Sequence, residues 1–147
     1  MKKRIFLIAL CLTLGLGGCT IGTDNGIFED WQAMRDKLAN KEWTRFYRND
    51  AELEHPASNV QEIWIFEECG RGTIRSIMIY DDGQEKESSY SFSWILTVDL
   101  VIVIKGSSYW TIDDLTDERL RLYYTPNDPI EMPGQPRKYY EFFRKQF

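Results

Sequence analysis

Two periodicities divide the chain. Phe28, Trp31, Met34 and Leu38 recur at steps of three and four with charges between them, the spacing of one face of a helix. Asp24 or Asn25 can cap its start, and Glu29 and Asp30 suit the positive end of the helix dipole. A short amphipathic helix is therefore predicted over 28–38, ending near Asn40. After it the period is two. Strands are predicted over 43–49, 61–67, 73–80, 89–96, 100–104, 109–112, 118–124 and 138–145. The clearest sets Tyr90, Phe92, Trp94 and Leu96 on one face and Ser89, Ser91 and Ser93 on the other. The run Ile63-Trp64-Ile65-Phe66 is apolar on both faces, as expected of a strand covered on both sides. Gly70, Gly72, Asp81-Asp82-Gly83 and Lys105-Gly106-Ser107 mark the turns.

Proline follows the same division. None stands between Pro56 and Pro126, as expected where every backbone amide joins a ladder. Pro126, Pro129, Pro133 and Pro136 fall together in one loop before the last strand. Eight short antiparallel strands can remove their edges by closing into a barrel. The expected fold is thus all-β: an eight-stranded antiparallel barrel behind a short N-terminal helix. An open sheet with the helix packed across it is the alternative.

Composition narrows the class of function. The 147 residues carry 18 Lys plus Arg against 23 Asp plus Glu, a net charge of −5, and one His. An acidic balance with no long basic run argues against a nucleic-acid partner. Aromatic residues at 14% suit strands and a core built from rings.

The N-terminus reads as an address. Lys2, Lys3 and Arg4 precede an apolar run from Ile5 to Leu16, which is too short to span a hydrocarbon core of about 30 Å as a helix. Leu16-Gly17-Gly18-Cys19 resembles the lipobox of bacterial lipoproteins. That resemblance implies removal of a signal peptide, 1–18, lipid attachment at Cys19, and a tether over 19–27 leading to a domain over 28–147. Several acyl chains, at about 0.8 kcal/mol per buried methylene, make a stable anchor. Cleavage removes Lys2, Lys3 and Arg4 and leaves the chain at −8. Thr20 rather than Asp after the lipidated Cys implies, by the same resemblance, the outer membrane. The tether from Thr20 to Ile27 reaches at most about 27 Å. Cys11 leaves with the signal and Cys19 is lipidated, so Cys69 has no intrachain disulfide partner.

The strand series also carries a resemblance. A helix, Trp43 opening the first strand, Gly72-Thr73, Tyr90-Ser91-Phe92-Ser93-Trp94, and Ile112-Asp113-Asp114-Leu115-Thr116 before Leu120-Arg121-Leu122 are similar to the small lipocalin-like domains of bacterial lipoproteins. Where lipocalins place Gly two residues before the Trp, this chain has Lys41. The resemblance implies a calycin-type barrel that binds a small hydrophobic or amphipathic ligand, with a basic side chain, here Arg144, laid over Trp43. The alternative is an accessory lipoprotein that docks another envelope protein through the barrel surface, with Tyr139, Tyr140 and Phe143 in an exposed aromatic patch.

Candidate sites follow from the same residues. Trp64, Phe66, Tyr90, Phe92, Trp94 and Tyr124 can line a ligand pocket or simply fill the barrel. The acids Asp81, Asp82, Glu85 and Glu87, and again Asp113, Asp114, Asp117 and Glu118, lack the spacing of a calcium loop and read as solvated turns. His55 has no Cys or second His for a metal site or triad, and Cys69 reads as a partly buried small residue. No cofactor or metal is expected, and no motif names an enzymatic reaction.

Overall fold

The computed structural model describes residues 24–50 and 57–144. The chain divides into two compact units, one up to Asp30 and one from Trp31 onward. Helix α1 (Asp24–Leu38) begins in the first and ends in the second. The expected signal peptide over 1–18, Cys19 and His55 lie outside the described residues.

Eight strands follow: β1 (Glu42–Asn49), β2 (Ser58–Phe66), β3 (Arg71–Tyr80), β4 (Glu85–Leu96), β5 (Val101–Ile104), β6 (Ser108–Leu115), β7 (Arg119–Thr125) and β8 (Lys138–Arg144). Each pairs antiparallel with the next, and β8 returns to β1 with Trp43 opposite Arg144 and Thr44 opposite Phe143. The result is a closed eight-stranded barrel preceded, among the described residues, by one short helix. The architecture is the closed eight-stranded antiparallel barrel with a short helix expected from the strand pattern, and the open-sheet alternative is set aside.

Period two sends alternate residues inward. Opposite residues share a face, so Trp43↔Trp64↔Ile74↔Tyr90 and Arg45↔Glu62↔Ser76↔Ser88 form successive inward rows across β1–β4. The outward-facing Ile63 of β2 is also buried, as expected of a strand covered on both sides. On β6 the alternation breaks at Asp113, where a bulge shifts the register between Ile112 and Asp114. The extra residue lets Ile112 and Leu115 both point into the core, opposite Leu122 and Leu120.

One end of the barrel is plugged. Leu38, at the end of α1, is fully buried in the ring cluster with Trp43, Phe66, Phe142 and Leu120. Trp43 Nε1 donates to the Leu38 carbonyl at 3.0 Å, and Trp31 Nε1 donates to the Leu96 carbonyl at 2.9 Å. The chain leaves the helix through Asn40 at φ 57°, and its N–H bonds the Phe66 carbonyl at 2.6 Å. Asn tolerates this left-handed conformation better than most residues, so it both ends the helix and ties it to β2.

Packing explains Gly72. It stands inside the barrel opposite Phe92, and a Cβ there would lie 2.3 Å from Phe92 Cζ and 2.7 Å from the Ile65 carbonyl oxygen. The missing side chain makes room for the Phe92 ring.

Several strands run longer than the hydrophobic pattern predicts; β6 continues to Leu115 rather than ending at Ile112. β2 starts at Ser58 rather than Gln61, and β4 starts at Glu85 rather than Ser89. The β3–β4 ladder continues to Ile79↔Glu85 and turns through Gly83 at φ 83°. By contrast, β4 pairs with β5 only at Trp94, Ile95 and Leu96. The upper β3–β4 hairpin therefore rises above the β5–β6 turn, leaving a notch in the wall. Arg48 of β1 binds Asp81 at the hairpin's end through two hydrogen bonds of 2.9 and 2.8 Å.

Candidate functional site

The rings fall into two tiers. Around the closed end, Phe66, Phe92 and Trp94 meet edge to face, with Phe66 5.7 Å from Phe92 and 5.2 Å from Trp94. Trp94 Nε1 donates to the carbonyls of Arg71 (2.8 Å) and Glu67 (3.1 Å), which holds the ring in place. Trp64 is the hub above them, 4.8 Å from Trp110 and 5.1 Å from Phe142. All of these side chains are buried. In this half of the barrel the rings fill the interior.

Toward the other end the inward positions are mixed: the Arg45–Glu62 row is polar and partly exposed, whereas Val60 and Ser58 beyond it are buried. Arg45 Nε donates to Glu62 Oε1 at 2.9 Å and its Nη2 to Oε2 at 3.2 Å. Trp64 Nε1 donates to the same carboxylate at 2.7 Å, and the Tyr47 hydroxyl reaches it at 3.4 Å. The Arg45 guanidinium lies 4.3 Å from the Tyr47 ring centre and 4.4 Å from that of Tyr140, within cation–π range of both. The charges therefore neutralise one another, and the carboxylate collects donors from three residues. A pair this well satisfied forms a floor rather than a free hook.

Tyrosines stand around that floor. Tyr124 and Tyr140 pack on Trp110 at 4.9 and 5.0 Å, and Trp110 Nε1 donates to Ser108 Oγ at 2.6 Å. Tyr90 is 51% exposed, with Lys105 Nζ 5.0 Å from its ring centre. Lys138 lies 5.3 Å from the Tyr140 ring. The hydroxyls of Tyr90, Tyr124 and Tyr140 make no hydrogen bond among the described residues. Partial burial pushes the Tyr47 and Tyr90 hydroxyls above the usual phenol value, and the nearby Glu62 charge adds to both. Both phenols thus keep their protons, and remain donors, to higher pH than a free tyrosine.

Of the residues singled out from sequence, Trp64, Tyr90 and Tyr124 border this polar and aromatic cup. Phe66, Phe92 and Trp94 lie in the packed tier below. Arg144 stands opposite Trp43 in the β1–β8 register, on the same face of the sheet. The sequence reading missed Arg45, Glu62, Tyr47, Trp110 and Tyr140 as cup residues. Their signal was positional: Arg45 follows Trp43 by two and Glu62 precedes Trp64 by two, which puts both pairs on one face of their strands.

The remaining candidates resolve individually. Cys69, expected to be partly buried, is exposed, because it stands in the β2–β3 turn with its thiol 3.4 Å from Glu67 Oε2. The turn reading holds for Asp81 and Asp82, the latter accepting the Gln84 N–H, but Glu85 and Glu87 stand on β4 and Asp113 and Asp114 on β6, where Asp114 pairs with Arg119. No cluster of His, Cys, Asp and Glu among the described residues has metal-site geometry. Two clefts open on the outside. One of about 390 Å³ lies between α1, the β2–β3 turn and the end of β4, lined by Trp31, Arg35, Cys69, Trp94 and Leu96. The other, about 350 Å³, runs over β1–β3 beside Phe46, Gln61 and Ile79.

Compared with known proteins, the chain matches no protein-family model, no curated protein and no solved structure.

Proposed function

We propose that this protein is an envelope lipoprotein, anchored by lipid on Cys19, whose barrel binds a small amphipathic ligand at its open end. The observation that carries the reading is the grouping of tyrosines around the Arg45–Glu62 pair. Half-exposed Tyr90, Tyr124 and Tyr140, with unused hydroxyls, surround an aromatic and internally neutralised floor. Ring faces suit the apolar part of such a ligand, and the hydroxyls fix its polar part. With the lower half filled by rings, the ligand is short and enters through the mouth or the notch above the β5–β6 turn. The role is one of binding, not catalysis. The test is native mass spectrometry of the chain lacking 1–18 with Cys19→Ser, purified without detergent, followed by titration with an environment-sensitive amphipathic dye. A co-purifying small molecule or saturable dye binding that Tyr124→Ala weakens supports the reading. No retained mass and no saturable binding would remove it.

A second reading rests on the outer wall. Phe46 (74% exposed), Phe143 (53%) and Tyr139 (46%) all point outward on β1 and β8. Such a patch fits docking to another envelope protein. Tyr140, expected in that patch, faces the interior instead. Crosslinking in cells from position 143 would recover such a partner, and recovery of none would dismiss it.

A further inference from the structure

The barrel was expected to leave no edge, yet one remains. β4 bonds β5 only from Trp94 to Leu96, and the Lys105 N–H adds a bond of 3.0 Å to the Ser93 carbonyl. Below Ser93 in sequence, β4 has β3 on one side and, among the described residues, no strand on the other. Amide directions alternate along a strand, so the Ser93 carbonyl fixes them all. The N–H and C=O groups of Ser91, Ser89, Glu87 and Glu85 point to the free side. Residues 85–91 are exposed, contain neither Pro nor Gly, and are uncharged from Ser88 onward. Such an edge is a template for another strand.

We propose that this edge pairs with the same edge of a second copy, antiparallel about a two-fold axis at Ser88. The register follows from the ends of the free stretch. Ser93 is occupied by Lys105, and the hairpin turn begins before Glu85, so all the free groups are used only if Glu85 faces Ser91 and Glu87 faces Ser89 of the other copy. In that register no carboxylate stands opposite a carboxylate. Arg75 Nε, 3.8 Å from Glu87, offsets the diagonal approach of the two Glu87 side chains. On the inner face Lys86 meets Tyr90 of the second copy, repeating the cation-on-ring contact that Lys105 already makes. The hairpin tip with Asp82 continues toward the second copy's β5–β6 turn, which carries Lys105. A mismatched partner strand would lack this set of matches.

The register also sets the test. Ser88 faces its own counterpart in a non-hydrogen-bonded pair, where Cα atoms stand about 4.5 Å apart, inside the range a disulfide spans. The full-length chain carrying Cys69→Ser and Ser88→Cys, purified in mild detergent, should give a covalent dimer under mild oxidation. Its rate should exceed that of an exposed control, Glu118→Cys, by roughly tenfold or more, because pairing raises the local thiol concentration. Adding Ser89→Pro removes one edge-facing N–H but no β3–β4 bond, and should bring the rate down to the control's. Cross-linking no faster than Glu118→Cys, or a rate that Ser89→Pro leaves unchanged while the circular dichroism stays native, overturns the proposal. Linkage in cells to a chain of different mass instead of to itself also overturns it.

Discussion

Gly72→Ala is the sharpest probe of how the interior is packed. The added Cβ would lie 2.3 and 2.6 Å from Phe92 Cζ and Cε2 and 2.7 Å from the Ile65 carbonyl oxygen. Carbon atoms in contact prefer about 3.5–4.0 Å, so the overlap exceeds about 1 Å. Phe92 has little room to yield, since Phe66 and Trp64 rings stand 5.7 and 6.4 Å from it, and the Ile65 oxygen belongs to the backbone. Overpacking of this kind costs about 2–3 kcal/mol. Phe92→Ala alone, which opens a cavity, should cost about 3–5 kcal/mol. The double variant relieves the ring clash but not the carbonyl clash, so the two costs should fall short of additivity by about 1–2 kcal/mol. Urea unfolding followed by tryptophan fluorescence gives each value. Additivity within about 0.5 kcal/mol, or a neutral Gly72→Ala, would refute the packing argument.

Three further outcomes follow from the same geometry. Glu62→Leu leaves Arg45 without its carboxylate; with the pair only 12–20% exposed, the loss should be about 2–3 kcal/mol, and adding Arg45→Met should restore most of it in the same unfolding assay. Because burial and Glu62 raise the Tyr90 hydroxyl above its unfolded value, the unfolded state ionises first, so the Tyr90 contribution holds below about pH 10 and declines as pH rises through the folded value. Tyr90→Phe should therefore flatten the alkaline fall in stability, and identical slopes in the two proteins would contradict this. Cys19→Ser should move the chain from the membrane to the soluble fraction on cell fractionation, and unchanged membrane retention would discard the lipid anchor.

The fold was largely legible because burial follows period two. The strand carrying Tyr90, Phe92 and Trp94 declared its inner face through its serines, and the barrel's strand number and order followed from such runs. The start of β4 was hidden, since Glu85-Lys86-Glu87 alternates charge rather than hydropathy and is held as strand only by its ladder to β3. Closure was expected from the strand count, and Arg144 was placed beside Trp43 only through the resemblance, since no local pattern records a contact between residues so far apart in sequence. The free edge of β4 was equally invisible, because it arises from the shortness of β5 against its neighbours. The cup was half legible. Aromatic residues announced themselves, whereas Arg45 and Glu62 read as outward charges until their partners supplied a reason for pointing inward.

The most direct test uses the indole N–H signals of Trp31, Trp43, Trp64, Trp94 and Trp110 in a heteronuclear NMR spectrum during titration with an amphipathic ligand. Trp110 and Trp64 border the cup, whereas Trp43 and Trp94 are locked onto carbonyls at the plugged end. Saturable shifts of Trp110 and Trp64, with Trp43 and Trp94 unmoved, are the expected result. Shifts confined to Trp31, Trp43 or Trp94 would place the ligand at the opposite end of the barrel and contradict the account.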